Sequence, residues 1–225
     1  MEKKWSSIKI GGILVECGRP SIVSSYKAKT SESLLKALRA KKNETDLVEI
    51  RYDLVPARSE KDLDRFLSAL ESMHVSYIFT YRTQSLDEAQ RYYGIATDHN
   101  APAIDVDIRL PGIKRGRCLW FSSFHGDHSS MSPELLQRLI SGKPDVVKLG
   151  ISYESSEEFL SDILMISRTY DGIDRPLCFS PMGKSSFMRA VAAYFISDFV
   201  YASGSGKTAE GQLTARQYRS IFSLY

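Results

Sequence analysis

Residues 117–150 read RCLWFSSFHGDHSSMSPELLQRLISGKPDVVKLG. Two short apolar runs in it, Arg117 to Ser122 and Asp145 to Gly150, have the length and the β-branched or aromatic content of buried strands. Between them Ser132 precedes Pro133, a pair typical of a helix start, and leucines follow at helical spacing. A strand, a helix and a second strand in this order predict a βαβ unit, in which the two strands are parallel.

The same alternation of apolar runs and helical stretches continues along the whole chain of 225 residues. The runs predicted to be strands are Ile13 to Glu16, Leu47 to Tyr52, Tyr77 to Tyr81, Ala103 to Ile108, Arg117 to Ser122, Asp145 to Gly150, Leu177 to Ser180 and Asp198 to Ala202. Helices are predicted after Ser59 and Ser132 and near residues 31–40, 155–168, 185–196 and 214–223. The composition marks no second domain, so we predict one α/β domain over residues 1–225.

Two α/β architectures fit this alternation, the closed (β/α)8 TIM barrel and the open doubly wound sheet, and periodicity alone does not separate them. A dinucleotide-binding sheet places its glycine motif after the first strand, whereas Gly11 and Gly12 precede the first run. Polar residues close several different runs: Glu49, Arg51, Arg82, Asp105, Asp107, His125 and Lys148. Active sites of barrels form at the carboxyl ends of several strands, so this distribution favours the barrel.

The overall charge and the cysteine pattern exclude some function classes. The chain has 30 basic and 27 acidic residues, a net charge of +3 and no long basic block, so nucleic acid is not an expected partner. The three cysteines lie far apart in apolar runs without CxxC spacing, which predicts buried reduced thiols. The apolar run near the N-terminus is too short for a signal peptide or a membrane span. We therefore expect a cytoplasmic protein without a membrane partner.

Lys148 ends the apolar run that begins at Asp145, so its amine is expected among apolar neighbours at a strand end. Burial disfavours the charged form of lysine and leaves a neutral amine that can attack a ketone. The alternative is a buried ion pair with one of the carboxylates that close the other runs. Both interpretations of Lys148 stay open at this point.

His125 lies in the segment that follows the fifth apolar run, and imidazole is the side chain best matched to proton transfer near neutrality. A loop histidine is more often a plain surface residue. Asp127 and His128 lie close by in sequence, but no HExxH pattern or third histidine at useful spacing is present. We therefore predict no metal site here.

The segment from Gly204 to Thr208 ends in the GKT of a phosphate-binding P-loop. The full pattern needs a glycine five residues before Gly206, and that position is Tyr201. Too little chain follows to complete a nucleotide-binding sheet. We predict instead a flexible glycine-rich loop over a site.

Taken together, these residues resemble those of type I 3-dehydroquinate dehydratase, the Schiff-base enzyme of the shikimate pathway, over nearly the whole chain. The segments that carry the resemblance are Glu49-Ile50-Arg51-Tyr52-Asp53, Thr80-Tyr81-Arg82, Ser123-Phe124-His125 with Ser132-Pro133, Asp145-Val146-Val147-Lys148, Met182-Gly183 with Arg189, and Ala209-Glu210-Gly211-Gln212. Each fragment alone is common, but their order and spacing make the resemblance specific.

The resemblance implies a TIM barrel that dehydrates the small molecule 3-dehydroquinate to 3-dehydroshikimate, acts without a metal or organic cofactor and forms a homodimer. It implies that Lys148 forms the imine and that His125 removes a proton and then protonates the departing hydroxyl. The substrate-binding residues that it implies are Glu49, Arg51, Arg82, Arg189, Thr208 and Gln212. Arg189 would bind the substrate carboxylate, because its planar fork suits bidentate contact.

Two departures from the family pattern follow the third and last predicted strands. After Arg82 the family commonly has an acidic residue before a glycine pair, and Asp87 or Glu88 are the possible replacements in this chain. Thr208 stands where the family often has serine and keeps the hydroxyl. Two rival functions share some of these residues: a small class I aldolase, and a non-catalytic barrel that binds an anionic metabolite. Turnover of 3-dehydroquinate excludes the first rival, and imine formation excludes the second.

Overall fold

A computed structural model describes residues 3–41, 45–183, 186–206 and 211–223 of the chain. Its ten strands are β1 Ser7–Ile10, β2 Ile13–Glu16, β3 Ser21–Tyr26, β4 Leu47–Arg51, β5 Tyr77–Thr80, β6 Ala103–Asp107, β7 Leu119–Asp127, β8 Val146–Ser152, β9 Leu177–Met182 and β10 Phe199–Ser203. Strands β3 to β10 form one parallel sheet in which β10 pairs with β3, so the sheet curls into a barrel. The predicted barrel fold is confirmed.

Seven α-helices cover the outside of the barrel in the part of the chain that the structure describes. They are α1 Ser31–Lys41, α2 Glu60–Ser72, α3 Leu86–Asp98, α4 Pro133–Ser141, α5 Ser156–Thr169, α6 Ser186–Phe195 and α7 Ala215–Phe222. The predicted starts at Ser59 and Ser132 are confirmed, because both hydroxyls accept a hydrogen bond from a first-turn amide. The segment between β6 and β7 contains no helix, so one of the eight units lacks its helical half.

Helix α3 was not among the predicted helices, although its sequence carries clear helix signals. The Ser85 hydroxyl accepts a hydrogen bond from the Glu88 amide at its start, and the helix buries Ala89, Tyr92, Tyr93 and Ala96. These four positions follow the i, i+3, i+4, i+7 spacing of a core-facing helix side.

The prediction of Ile13 to Glu16 as the first barrel strand was wrong. These residues form β2, which pairs antiparallel with β1 in a separate two-stranded sheet. Gly11 has φ +58 in the two-residue turn between the strands, and this left-handed conformation suits glycine. The first barrel strand is instead β3, where three serines and a tyrosine flank only two aliphatic residues and weaken the apolar signal of the run.

The β1–β2 hairpin lies against the amino-terminal end of the barrel. Trp5, Ile10 and Val15 are buried in a cluster to which every barrel strand contributes a side chain. The strand residues of this cluster are Val23, Leu47, Ile78, Ala103, Phe121, Val146, Cys178, Phe199 and Tyr201. The hairpin therefore plugs the end of the barrel opposite the polar strand ends.

Side chains complete the barrel between β9 and β10. The amide of Asp198 donates to the Leu177 carbonyl over 2.7 Å, and the Asp198 carboxylate accepts from the Leu177 amide over 2.9 Å. The Ser197 hydroxyl accepts from the Phe179 amide over 2.8 Å. In a regular parallel pair, backbone carbonyls would accept these hydrogen bonds from the β9 amides. Here a side-chain carboxylate and a side-chain hydroxyl accept them instead.

The three cysteines were predicted to be buried, reduced thiols. All three carry free thiols, and Cys118 and Cys178 are buried, but Cys17 is only half-buried. Among the described residues, no helix has the length and apolar character needed to cross a bilayer.

Candidate active site

Side chains along each barrel strand point alternately into and out of the barrel, and this alternation determines which residues form the site. Val23, Leu47, Ala103, Val146 and Phe199 point into the barrel and belong to the apolar cluster above the hairpin. Two residues further along the same strands, the inward side chains are Ser25, Glu49, Asp105, Lys148 and Tyr201. Since alternate residues share a face, this polar layer lies directly on the apolar layer, towards the carboxyl ends of the strands.

Lys148 lies at the centre of the polar layer with its side chain 4% exposed. Its Nζ donates to Asp105 Oδ2 over 2.6 Å, to Glu49 Oε1 over 2.9 Å and to the Tyr201 hydroxyl over 2.9 Å. The three partners belong to three different strands and match the three N–H donors of an ammonium group. The geometry is that of a fully hydrogen-bonded lysine cation.

The charges around Lys148 decide its protonation. Burial disfavours the ammonium, but Asp105 and Glu49 outweigh this effect and raise the pKa of Lys148. Burial likewise opposes the Asp105 carboxylate, whereas Arg82 and Lys148 favour it and lower its pKa. The expectation that burial leaves a neutral amine was therefore wrong for this arrangement of charges. The ion pair, which was the alternative, is present.

Glu49 is held in place from both sides of its carboxylate. Its Oε2 accepts a hydrogen bond from Ser25, and its Oε1 accepts from the Thr80 hydroxyl over 3.1 Å. Burial opposes the charge of Glu49, but Lys148 and Arg51 lower its pKa. Glu49 is thus a fixed anion beneath the lysine amine.

Arg51 forms a two-pronged ion pair with Asp53, with Nε and Nη2 at 2.9 and 2.7 Å from the two carboxylate oxygens. The predicted site residue Arg51 therefore has its guanidinium oriented by its own chain neighbour. It still lines the cavity above Lys148.

Arg82 connects the lysine cluster with His125. Its Nη2 donates to Asp105 Oδ2 over 2.8 Å and lies 3.3 Å from His125 Nε2, while its Nη1 donates to the Ser123 hydroxyl over 2.8 Å. Since a guanidinium only donates, Nε2 is the accepting nitrogen of the ring. The proton of a neutral His125 is then on Nδ1, and Nε2 is the basic atom.

The surroundings of His125 keep its imidazole neutral. Burial is the largest cause, and the nearby charges of Arg82 and Lys148 act in the same direction, so the pKa of His125 is lowered well below its usual value. A neutral imidazole can accept a proton, which is the state that a general base needs.

Gly150 provides the space that His125 occupies. A Cβ atom on Gly150 would lie 2.5 Å from His125 Cδ2 and 2.9 Å from Nε2, closer than carbon atoms approach. Gly150 follows Lys148 by two residues on β8, so its inward face is directly above the lysine. The missing side chain allows the imidazole to reach the cavity.

Gly150→Ala is expected to displace the imidazole and to lower any turnover that depends on His125 by about 10²-fold, because a displacement of roughly 1 Å has an effect of that order on a catalytic group. Steady-state kinetics with the substrate that the family resemblance implies would measure it. Gly142→Ala is the matched control, since its added Cβ meets its nearest neighbour, the Leu139 carbonyl, at an ordinary 3.5 Å. Equal activity of the two variants would contradict this role of Gly150.

Arg189 and Gln212, two further predicted binding residues, line one cavity of about 240 Å³. Its lining comprises Ser25, Glu49, Arg51, Arg82, His125, Lys148, Gly150, Ser180, Met182, Arg189, Tyr201 and Gln212. Arg189 and Gln212 are 3% and 5% exposed, and burial lowers the pKa of the Arg189 guanidinium. A desolvated cation and a buried amide therefore face the lysine and the histidine across a single space.

Thr208 lies outside the described residues, as does most of the glycine-rich loop beyond Gly206. The start of that loop is fixed to the end of β3. The Gly204 amide donates to the Ser25 carbonyl over 3.0 Å, and the Lys27 amide donates to the Ser205 hydroxyl over 2.9 Å. The described part of the loop therefore begins beside the cavity rim.

Comparison with known proteins identifies the family. The sequence profile of the type I 3-dehydroquinase family matches residues 23–225. The chain belongs to the type I 3-dehydroquinase family. It is 33% identical to the 3-dehydroquinate dehydratase of Thermoplasma acidophilum, over 96% of this chain and 94% of that protein.

Solved structures share the fold of this type I 3-dehydroquinase. The crystal structure of 3-dehydroquinate dehydratase from Geobacillus kaustophilus matches with a TM-score of 0.87 at 18% identity, over 97% of this chain and 96% of that chain. A second match is the type I 3-dehydroquinate dehydratase of Clostridium difficile with covalently modified comenic acid. It has a TM-score of 0.83 at 18% identity and covers 98% of both chains. At this identity, the structures support the barrel fold alone.

The loop after Arg82 departs from the family pattern, and neither suggested replacement for its acidic residue lines the cavity. Glu88 instead accepts hydrogen bonds from Tyr81 and Thr83, each over 2.6 Å. Asp87 is exposed. His125 Nδ1 finds no hydrogen-bond partner within the described ranges. In this type I 3-dehydroquinase, Arg82 is therefore the residue that contacts the imidazole.

Asp105 and Tyr201 contact Lys148 directly but were not among the predicted site residues. Asp105 was recognised only as a polar strand end, and Tyr201 only as a mismatch to a phosphate-loop pattern. The alternation rule is the signal that finds them, because each follows an inward core residue by two positions. Within the described part of this type I 3-dehydroquinase, no group of three or more potential metal ligands is present.

Proposed function

We propose that this chain dehydrates 3-dehydroquinate to 3-dehydroshikimate, a step of the shikimate pathway to aromatic amino acids. The observation that carries the proposal is the buried Lys148 amine, which shares one cavity with the neutral base His125 and the cation Arg189. Family membership supports the reaction, and the residue types in the cavity fit its requirements. All proposed steps use protein side chains without a metal or organic cofactor.

The first step forms an imine between Lys148 and the ketone of the substrate. The ammonium must lose a proton before it attacks, and Asp105 lies 2.6 Å from Nζ as the nearest acceptor. Asp105 returns this proton to the hydroxyl of the adduct, which leaves as water, and the two carboxylates, again both charged, favour the positively charged iminium over the neutral ketone. The iminium withdraws electrons from the neighbouring carbon, so its C–H bond becomes acidic enough for a side-chain base.

The second step uses His125 as base and then as acid. The imidazole lines the cavity, and its neutral Nε2 removes the proton from the carbon next to the iminium. The imidazolium that results returns a proton to the departing hydroxyl, which leaves as water. Before the transfer, Arg82 Nη2 lies 3.3 Å from Nε2 and orients the ring. Nε2 then turns its lone pair from Arg82 to the substrate proton, because a protonated nitrogen cannot accept a hydrogen bond from a guanidinium.

Arg189 and Gln212 bind the rest of the substrate in this proposal, together with Thr208. A guanidinium binds a carboxylate through two parallel hydrogen bonds, and its burial strengthens the contact because water competes less. The Clostridium difficile structure contains covalently modified comenic acid, which is consistent with covalent chemistry in the family.

One assay and one labelling experiment test this function. The purified protein should convert 3-dehydroquinate to a conjugated enone that is detected by ultraviolet absorbance. Sodium borohydride with substrate present should attach a stable adduct to the peptide that contains Lys148. If the protein forms the adduct but does not dehydrate the substrate, an aldolase is favoured. If it binds an anionic metabolite but neither forms the adduct nor dehydrates the substrate, a non-catalytic barrel is favoured.

Arg189→Lys keeps the positive charge but replaces a planar fork with a point charge, so it tests the geometry of carboxylate binding. We expect KM to rise and kcat to fall, because the carbon that loses its hydroxyl also bears the carboxylate. Steady-state kinetics would measure both constants, with exposed Arg138→Lys as control. Wild-type constants in Arg189→Lys and in Arg189→Ala would exclude this arginine from the site.

A homodimer and a cytoplasmic location are two further parts of the proposal. Helices α5 and α6 pack against each other and expose large apolar side chains, among them Leu160, Leu164, Phe187 and Phe195 at 53 to 71%. Neighbouring exposed apolar side chains of this size are typical of an interface with another protein. Sedimentation at the mass of a single chain would contradict the dimer.

A further inference from the structure

Among the described residues, the Tyr201 hydroxyl is the one neutral hydrogen-bond partner of the lysine amine. Its oxygen lies 2.9 Å from Lys148 Nζ, and the centre of its ring lies 4.1 Å from the same atom. The side chain is 4% exposed and lines the cavity. Tyr201 therefore contacts both the nucleophile and the space in which the substrate would bind.

The hydrogen-bond directions at this contact follow from a count of donors. An ammonium has three N–H groups, and Lys148 directs them to Asp105, Glu49 and Tyr201. The phenol oxygen is thus an acceptor, and its own proton must point away from the lysine. Within the described part of the chain this hydroxyl makes no second hydrogen bond, so its proton is available to a group in the cavity.

The phenol remains protonated throughout. Burial is the largest cause, and the carboxylate of Glu49 acts in the same direction, so the pKa of Tyr201 is raised well above its usual value. A phenol with so high a pKa does not readily lose its proton to become a phenolate. It can still donate its proton to one group while it accepts a proton from another, because its charge is then unchanged.

We propose that Tyr201 is a catalytic residue that relays a proton from Lys148 to the substrate oxygen when the imine forms. The inference rests on the proposed Schiff-base reaction and adds a residue to it. It concerns the carbinolamine, the adduct between the amine and the ketone that precedes the imine.

The atoms of the relay step balance without another reactant. The neutral Lys148 amine forms a bond to the carbonyl carbon, and the carbonyl π pair moves to oxygen, which gives an alkoxide and a positively charged nitrogen. That nitrogen gives one proton to the Tyr201 oxygen, and the phenol gives its original proton to the alkoxide. The product is a neutral carbinolamine, and Tyr201 ends as it began. The reverse transfer serves hydrolysis of the product imine.

The test is the rate of imine formation, measured by rapid mixing with 3-dehydroquinate and a borohydride quench. Mass spectrometry then counts the adduct on Lys148 at each time. We expect Tyr201→Phe to slow adduct formation by roughly 10- to 10²-fold, at or below the lower end for a positioned proton-transfer group. The variant keeps the ring beside Nζ and removes only the oxygen.

Tyr77→Phe is the matched control. Tyr77 is also buried, at 2% exposure, and its hydroxyl has no hydrogen-bond partner in the described regions. It lies at the amino-terminal end of β5, away from the cavity, so its loss should leave the adduct rate unchanged. Thermal melting of both variants shows whether either has lost its fold.

The outcomes separate the relay from the proposed function. Wild-type protein without turnover and without adduct would overturn the function itself. Wild-type protein that forms the adduct, together with a folded Tyr201→Phe protein that forms it equally fast, would overturn the relay alone. His125→Ala provides the contrast, because it should lose turnover and still form adduct at a rate near that of the wild type.

Discussion

Replacement of Lys148 by methionine is expected to remove turnover of 3-dehydroquinate almost completely. Methionine has similar length but no amine, so no imine forms and the neighbouring C–H bond stays too weakly acidic for His125. We expect a loss on the order of 10⁴-fold or more, as for other enzymes that lose their covalent nucleophile. The absorbance assay for the conjugated product measures this loss, and the borohydride adduct should be absent.

The same substitution also affects stability, which calls for a second variant. Lys148→Met removes the ion-pair partner of Glu49 and leaves Asp105 with Arg82 alone, and breaking a buried ion pair in this way costs about 3–5 kcal/mol. Lys148→Arg keeps a cation beside the carboxylates, but a guanidinium does not deprotonate in proteins and forms no imine. Both variants should be inactive, whereas only the first is expected to melt at a clearly lower temperature.

Exposed Lys114→Met is the control for loss of a lysine charge. It should keep wild-type kinetics and the wild-type adduct. If peptide mapping of the wild-type protein found the adduct on any lysine other than Lys148, the proposed mechanism would be lost.

His125→Ala is expected to lower kcat by about 10²- to 10⁴-fold, the usual contribution of a positioned acid-base group. The Lys148 amine remains in place in this variant, so the substrate should still be trapped by borohydride. Turnover and trapping are thus measured on the same preparation. If turnover is lost and trapping is retained, His125 acts in proton transfer and not in imine formation.

His128→Ala is the matched control, because His128 is the next histidine along the chain. It lies on a 3₁₀ turn after β7, where its Nδ1 is 3.1 Å from the Asp162 carboxylate. It does not line the cavity. A large loss of turnover in His128→Ala with normal activity in His125→Ala would reverse the two assignments.

The sequence predicts the barrel and much of the site because both depend on local patterns. Apolar runs with polar ends mark strands whose carboxyl ends meet, so Glu49, Arg82 and Lys148 can be placed at one end of the barrel from the sequence alone. The helix starts at Ser59 and Ser132 are equally local, since a hydroxyl and an amide three residues apart define them.

What the sequence does not predict depends on contacts between distant residues. Burial alone favours a neutral Lys148, and only the distances to Asp105 and Glu49 reverse that conclusion. The space for His125 exists because Gly150 lies on the neighbouring strand, which no single run reveals. The apolar run of β2 has the composition of a barrel strand, and its antiparallel pairing with β1 is decided by the turn at Gly11.

The hairpin plug also constrains the order of folding events. Its partners come from all eight barrel strands, and the barrel closes only when β3 at residues 21–26 meets β10 at residues 199–203. Pairing across such a sequence separation carries a large loop-closure cost and slows folding. Trp5 reaches its buried position only against that completed surface, so its fluorescence should follow the last cooperative phase of refolding and not the early collapse.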